Sequence, residues 1–219
     1  MKATDAVITP IHKEGHVFVA IFLGVSFGLF YLYEPLGWVG LILSLWCLYF
    51  FRDPERIVPS EKGILVSPAD GTVCAVSEAP PPAELDMGSE PRVRITIFLS
   101  VFNVHVNRTP AAGEITAAAY VPGKFLNAAA DDASEENERQ LVRMTTEEGK
   151  DVAFAQVAGL VARRILCDLK VGDTVQRGER FGLIRFGSRT DIYLDKDQVS
   201  KVSIGQTMIG GETVIACNK

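Results

Sequence analysis

Hydrophobic positions in this 219-residue chain follow two regimes. From Val17 to Tyr33 no residue is charged, Glu34-Pro35 interrupts, and Leu36–Phe51 is again uncharged. Apart from Glu14, Glu34 is the only charge between Lys13 and Arg52. Apolar residues cover every face of both segments. A helix half-buried on a polar domain would instead show one apolar stripe. Pro35 lacks an amide hydrogen, so a continuous helix breaks there. Two helices of 17 and 16 residues are each about 25 Å long, against a hydrocarbon core of about 30 Å. The pattern predicts a helical hairpin, marginal for two full spans, that crosses a thinned bilayer or dips in and returns. A buried hairpin of a soluble protein is the alternative, and the all-round apolarity argues against it.

Residues 52–62, with Pro54 and Pro59, read as a linker. Beyond Gly63 the pattern changes to short β-type runs bounded by Gly, Pro, Asp or Asn. They are Ile64–Ser67, Thr72–Ser77, Val93–Leu99, Glu114–Tyr120, Gln140–Thr145, Asp151–Gln156, Phe181–Phe186, Asp191–Leu194 and Thr213–Ala216. Ala79–Pro82 and Asp86–Ser89 read as an exposed loop, Ala128–Arg139 as an acidic solvated loop or short helix, and Leu160–Leu169 as a single helix. Leu169–Gly182 places Gly-Asp and Gly-Glu turns between apolar runs, like the hammerhead turn of lipoyl and biotinyl carrier barrels. No lysine-bearing tip accompanies it, so it hints at fold rather than carrier function. The expected class is mainly β (α+β). Residues 1–56 form a membrane-associating hairpin and linker, and residues 57–219 form one β-rich catalytic domain.

Charge and cysteines change this picture little. A net charge of −5 offers no polyanion-binding surface, so nucleic acid is not an expected partner. Cys47, Cys74, Cys167 and Cys217 are scattered without metal-ligand spacing, which reads as reduced thiols and no metal site. Lys2, Lys13, Arg52 and Arg56 flank the hairpin and none sits at its turn. Both ends are therefore expected on the cytoplasmic side. No small-residue cleavage site follows the N-terminal stretch, so no signal peptide is read there.

The candidate chemistry lies at Phe186-Gly187-Ser188-Arg189, where two strand-like runs meet. Glycine gives the backbone freedom there and leaves its carbonyl open to the Ser188 hydroxyl, although a Gly-Ser pair is by itself a common turn. His105 is the only imidazole outside the first sixteen residues. A histidine titrates near neutrality and can take a serine proton. A carboxylate behind it can set the tautomer. Asp70, in a Pro-Ala-Asp-Gly turn, is the candidate carboxylate and equally a turn former.

Three stretches together carry a resemblance: Val66–Val73, Phe102–Pro110 and Gly187-Ser188. In this order they resemble the phosphatidylserine decarboxylases, in the short form found in archaea and many bacteria. The resemblance extends from Phe50-Phe51-Arg52-Asp53-Pro54-Glu55-Arg56 to the C-terminus. It implies a proenzyme that cuts itself between Gly187 and Ser188, leaving a large β chain and a small α chain as a heterodimer. Ser188 becomes a covalent pyruvoyl cofactor, and Asp70, His105 and Ser188 form the self-processing triad. The implied substrate is phosphatidylserine, whose amine condenses with the pyruvoyl ketone before carbon dioxide leaves. Protonation of the decarboxylated adduct, for which His105 is the candidate, and hydrolysis then release phosphatidylethanolamine. The implied location is the cytoplasmic side of the cell membrane, among membrane lipids, through residues 17–51. A higher oligomer is left open.

Two departures stand out. Many bacterial members read Leu-Gly-Ser-Thr at the cut, and many carry a second histidine where this chain has Arg108. Arg108 cannot donate a proton near neutral pH. It is a candidate for holding an anionic phosphodiester, or else an exposed strand-end arginine. Asn137 and Arg139 are weaker carry-overs as residues that structure the site. Three rival readings remain. One is a membrane-anchored serine hydrolase, against which the absence of a G-x-S-x-G elbow counts. The others are a non-enzymatic lipoyl-like module and a pyruvoyl decarboxylase of a soluble amino acid.

Overall fold

The computed structural model describes residues 9–126, 136–159, 164–185 and 187–219. Clustering of contacts divides the chain into Met1–Glu55 and Arg56–Lys219.

The first unit is a pair of helices, α1 (Gly15–Leu32) and α2 (Glu34–Phe50). Tyr33 between them is extended, and Pro35 falls in the first turn of α2, where a missing amide hydrogen costs nothing. The seam between the helices is built from small residues. Ser26 donates its hydroxyl to the Gly37 carbonyl at 2.9 Å, and Ser44 donates to Gly40 within α2 at 2.8 Å. A Cβ at Gly40 would lie 3.0 Å from the Cα of Ser26. The large apolar side chains, Ile21, Phe27, Tyr31, Ile42 and Leu45 among them, point outward and are exposed. This inverts the arrangement of a water-soluble hairpin, and close approach through small residues is how helices associate in lipid. α1 has 18 residues and a mean hydropathy of 1.9, long and apolar enough to cross a membrane; α2 is one residue shorter.

The second unit is mainly β. Its strands are β1 (Ile64–Val66), β2 (Gly71–Ala79), β3 (Arg92–Leu99), β4 (Val106–Arg108), β5 (Gly113–Val121), β6 (Arg139–Thr146) and β7 (Asp151–Ala158). They continue as β8 (Ile165–Cys167), β9 (Thr174–Val175), β10 (Arg180–Ile184), β11 (Ser188–Tyr193), β12 (Gln198–Ser200), β13 (Thr207–Met208) and β14 (Val214–Asn218). Eight of them make a curled sheet in the order β13-β2-β3-β11-β7-β6-β5-β9. Two three-stranded sheets, β1-β14-β12 and β4-β10-β8, accompany it. Alternation sorts the side chains of the large sheet. Ile95, Ile97, Phe154 and Ile192 join the main core with Phe181, while Leu141, Ala153, Ala155, Val157 and Tyr193 form a smaller core on the other face, under Leu85. β11 is buried along its whole length, as a central strand covered on both faces must be.

Two expectations change. Ile165–Cys167 is a strand rather than part of a helix, because it pairs with β10; residues 160–163 lie outside the described residues. Ser188 already belongs to β11, which starts three residues earlier than the apolar run suggested. Residues 128–135 of the acidic stretch and Phe186 also lie outside the described residues.

Candidate active site

Ser188 opens β11 with Leu99 of β3 on one side and Ala158 of β7 on the other. It is fully buried, and its hydroxyl meets no hydrogen-bond partner among the described residues. Gly187 holds φ at +66°, the left-handed region that side-chain-bearing residues avoid, and among the described residues nothing lies within 4 Å of where its Cβ would be. The requirement for glycine there is conformational rather than steric.

His105 reaches the same end of the sheet by a different route. β3 stops at Leu99, the neighbour of Ser188, and a turn follows. Asn103 closes that turn by accepting hydrogen bonds from the Ser100 amide at 2.9 Å and the Ser100 hydroxyl at 2.8 Å. His105 comes next, fully buried, with Nδ1 3.0 Å from the Asn103 carbonyl oxygen. A carbonyl can only accept, so this contact is a hydrogen bond when Nδ1 carries the proton. The neutral ring then has its lone pair on Nε2. The backbone oxygen of His105 accepts from the Ile184 amide, and the Ile184 side chain lies against Ala158. His105 is thus tied to the strand that leads into Ser188, which itself packs against the strand beside Ser188.

Asp70 precedes β2 in a turn that Ser67 closes onto the Ala69 carbonyl at 2.7 Å. Its carboxylate accepts from Arg56 Nη2 at 2.7 and 2.8 Å and from the Gly210 amide at 2.8 Å. The register Thr72–Phe98–Arg189 carries the start of β2 across β3 to the start of β11. Asp70 therefore belongs to the Ser188 end of the sheet. At Nδ1 of His105, however, the orienting acceptor is the Asn103 carbonyl, where the sequence suggested a carboxylate. Arg108 is buried, so it is not an exposed strand-end arginine; its Nη1 donates to the Gly178 carbonyl at 2.8 Å. Its side chain adjoins the Asp70 cluster, since a Cβ on Gly211 would lie 2.9 Å from Arg108 Cδ and 3.6 Å from Arg56 Cβ.

Sequence reasoning missed Arg56 and Asn103 as parts of this arrangement. In the sequence Arg56 stands as a basic flank and at the end of the stretch where the resemblance begins, with nothing to link it to Asp70. Asn103 lies inside Phe102–Pro110, and an Asn three residues after a Ser is a local turn signal that could have found it. Asn137 is fully buried and donates to the carbonyl of Ala158, the neighbour of Ser188, at 2.8 Å. It also exchanges hydrogen bonds with the Leu126 backbone at 2.9 and 3.0 Å. Arg139 instead pairs with Glu84 at 3.1 Å, on the rim of a cavity of about 640 Å³ that Arg94 and Tyr193 also line. That cavity lies at the other end of β11 from Ser188. Burial, reinforced by the Asp191 charge, pushes the Tyr193 phenol up. Asp191 itself pairs with Arg189 at 3.1 Å, both almost wholly buried.

A pyruvoyl group has no hydroxyl to satisfy. The Ser188 side chain, between Leu99 and Ala158 and with no partner for its oxygen among the described residues, fits conversion to such a group.

Comparison with known proteins gives one consistent answer. The phosphatidylserine decarboxylase family profile matches residues 43–216. A phosphatidylserine decarboxylase proenzyme of Cereibacter sphaeroides is 57% identical over 209 residues, covering 95% of this chain and 90% of that protein. Proteins of the same description from Ruegeria pomeroyi and Paramagnetospirillum magneticum are 53% and 54% identical. The first covers 99% of both chains, the second 94% of this chain and 86% of that protein.

Proposed function

This chain belongs to the phosphatidylserine decarboxylase family, and from that premise we propose that it is a self-cleaving, pyruvoyl-dependent phosphatidylserine decarboxylase. The observation that carries the reading is Ser188: a buried serine with an unengaged hydroxyl, preceded by a left-handed glycine, at the end of the sheet where His105 is tethered. The names of the relatives favour this over a hydrolase or a non-enzymatic module.

Maturation would begin when the Ser188 hydroxyl attacks the Gly187 carbonyl carbon. His105 Nε2 takes the hydroxyl proton and returns it to the departing amide nitrogen, leaving an ester and a free amine on residue 188. Removal of the residue 188 α-proton then expels the ester oxygen, so Gly187 ends as a carboxylate and residue 188 as dehydroalanine. One water hydrolyses that product, releasing ammonia and leaving the pyruvoyl ketone. Asp70, fixed by three hydrogen bonds, would act as a stationary negative charge at this end of the sheet.

In the mature protein the pyruvoyl group supplies an electron sink for the bond to carbon dioxide. His105 delivers the proton that replaces the lost carboxylate. β11 lies between β3 and β7, both from the larger chain, so the two products of the cut stay joined as an αβ heterodimer. Arg108 remains the candidate for the phosphodiester. The hairpin would hold the protein at the cytoplasmic face of the membrane, where the substrate's acyl chains lie; its outward-facing large apolar side chains support this.

The test is denaturing mass spectrometry of purified protein together with carbon dioxide release from phosphatidylserine vesicles. Two chains meeting at residues 187 and 188, with release, are expected. A stable full-length mass without release would refute the reading.

A further inference from the structure

Beside Ser188, polar side chains are buried with hydrogen-bonding capacity left over. Gln156 on β7 stands opposite Thr190 on β11, two residues past Ser188. Alternation puts Gln156, Thr190 and Ser188 on one face of the sheet. Gln156 Nε2 donates to the Leu166 carbonyl at 3.1 Å and to Asn107 Oδ1 at 2.8 Å. Since a carbonyl only accepts, the Leu166 contact fixes which end of the Gln156 amide is the donor. That donor in turn fixes Oδ1 as the Asn107 atom facing it. Four atoms are left: the Asn107 Nδ2 donor, the Gln156 Oε1 acceptor, and the hydroxyls of Ser188 and Thr190. None has a partner among the described residues, and all four residues are at most 1% exposed.

A buried polar group without a partner is costly, and few are found in native structures. Maturation consumes the Ser188 hydroxyl, and the three that remain beside it point to a ligand that brings the missing partners. The set is complementary to an amino acid: a carboxylate needs donors and an amine needs an acceptor. We propose that Asn107 and Gln156 read the amino-acid headgroup of the lipid, Asn107 Nδ2 donating to its carboxylate and Gln156 Oε1 accepting from its amine. The assignment rests on the decarboxylase reading of the same site.

A neutral amide suits this task. A guanidinium would bind the carboxylate most tightly before the reaction, while its charge is still in place. That would stabilise the ground state more than the transition state. The backbone around the pair is close-fitting: a Cβ on Gly182 would lie 2.0 Å from the Leu166 carbonyl oxygen that holds Gln156, and 3.0 Å from Gln156 Nε2. In the uncut chain the four atoms are sealed from water. Scission turns Gly187 into a chain end at this end of the sheet.

The test uses mature protein reduced with borohydride, which converts the ketone to a hydroxyl and leaves only non-covalent binding. Short-chain phosphatidylserine and phosphatidylethanolamine are titrated into it by calorimetry. Wild type should prefer the serine lipid. Asn107→Asp has the same shape but replaces the donor with an acceptor, and it should lose that preference by about ten- to a hundredfold while binding the ethanolamine lipid as before. A retained preference, or equal weakening for both lipids, overturns the proposal. Should Asn107→Asp fail to cleave or fold, the Asn107 side-chain amide signals of wild type supply the measurement. They must shift with the serine lipid and not with the ethanolamine lipid, and no such difference overturns the proposal. Failure of the underlying reading shows separately, as unreduced wild type that releases no carbon dioxide from phosphatidylserine.

Discussion

Nδ1 of His105 lies 3.0 Å from the carbonyl oxygen of Asn103, and the side chain of the same asparagine closes the turn back onto Ser100. Asn103 therefore both shapes the chain leaving β3 and sets the ring so that its lone pair falls on Nε2. General base help is worth about a hundred- to ten-thousandfold in rate. His105→Ala should slow self-cleavage by that factor. Asn103→Ala keeps the carbonyl but loosens the turn, and should slow it by about tenfold, one decade for about 1.4 kcal/mol of lost positioning. Time courses of chain separation on a denaturing gel measure both. An Asn103→Ala protein that cleaves at the wild-type rate would remove Asn103 from the arrangement.

The arginine and aspartate at Arg56 and Asp70 form the second relationship to test. Their side chains are 12% and 14% exposed, and the contacts are 2.7 and 2.8 Å. Hydrogen bonds to charged groups contribute about 1.5–3 kcal/mol when largely buried. Arg56→Met and Asp70→Asn should each lower unfolding stability by about 1–3 kcal/mol, and the double variant by clearly less than the sum. Denaturant titration of the three proteins makes the cycle. Additive effects would show that the pair is not coupled.

Much of the fold was legible because alternation and all-round apolarity are local signals. Most strand runs fall where the pattern put them, and the hairpin breaks at Tyr33, one residue before the Glu34-Pro35 interruption, which opens α2 instead. Ile165–Cys167 was not legible. Its three residues are a strand only because β10 pairs with them, and no local pattern encodes that partner. The site shows the same division. Ser188, His105 and Asp70 stood out through motif order. Arg56 and Asp70 are fourteen positions apart, and Gln156 and Asn107 forty-nine. Such contacts are created by packing between segments distant in sequence, outside strands or on different sheets, and leave no trace in spacing.

Asp151 provides a test of pH dependence. Burial raises its pKa, but hydrogen bonds from Arg143 and Thr145, with the charges of Arg143 and Arg92, outweigh this and hold the carboxyl below its ordinary 3.8. A depressed folded-state value stabilises the protein above the unfolded value, and that stability is lost as pH falls through the folded one. The carboxylate is about one-third exposed, so the effect is screened and worth about 1 kcal/mol or less. Asp151→Asn should therefore lower Tm slightly at pH 7, and the gap should close as pH falls below 3.8. Calorimetric scans from neutral pH to about pH 3 measure it. A gap that widens on acidification would contradict the assignment.

The hairpin should respond to charge on its outward face. Ile21 and Phe27 are exposed on α1. A lysine at the centre of a membrane helix costs about 2.5–3.5 kcal/mol. Ile21→Lys and Phe27→Lys together should shift the full-length protein from floating with lipid vesicles toward the unbound fraction, with self-cleavage unchanged. Continued complete flotation would mean that this face does not meet lipid.

The sharpest contrast lies at the cut itself, between two substitutions of one methyl group or one oxygen. Gly187→Ala meets no neighbour among the described residues, since none lies within 4 Å of the added Cβ, but it must hold a φ of +66°. That costs roughly 1–2 kcal/mol, and whatever part of it is expressed in the geometry of attack slows cleavage, up to about tenfold per 1.4 kcal/mol. Ser188→Ala removes a buried hydroxyl that has no hydrogen-bond partner among the described residues. Deleting an unsatisfied polar atom relieves a desolvation penalty instead of breaking a bond. Ser188→Ala should therefore remain one uncut chain and unfold at a temperature equal to or above that of Gly187→Ala. A mass spectrum showing scission in Ser188→Ala would refute serine as the attacking group. A large loss of stability in the same variant would mean that the hydroxyl has a structural partner after all, and that the site is built differently from this geometry.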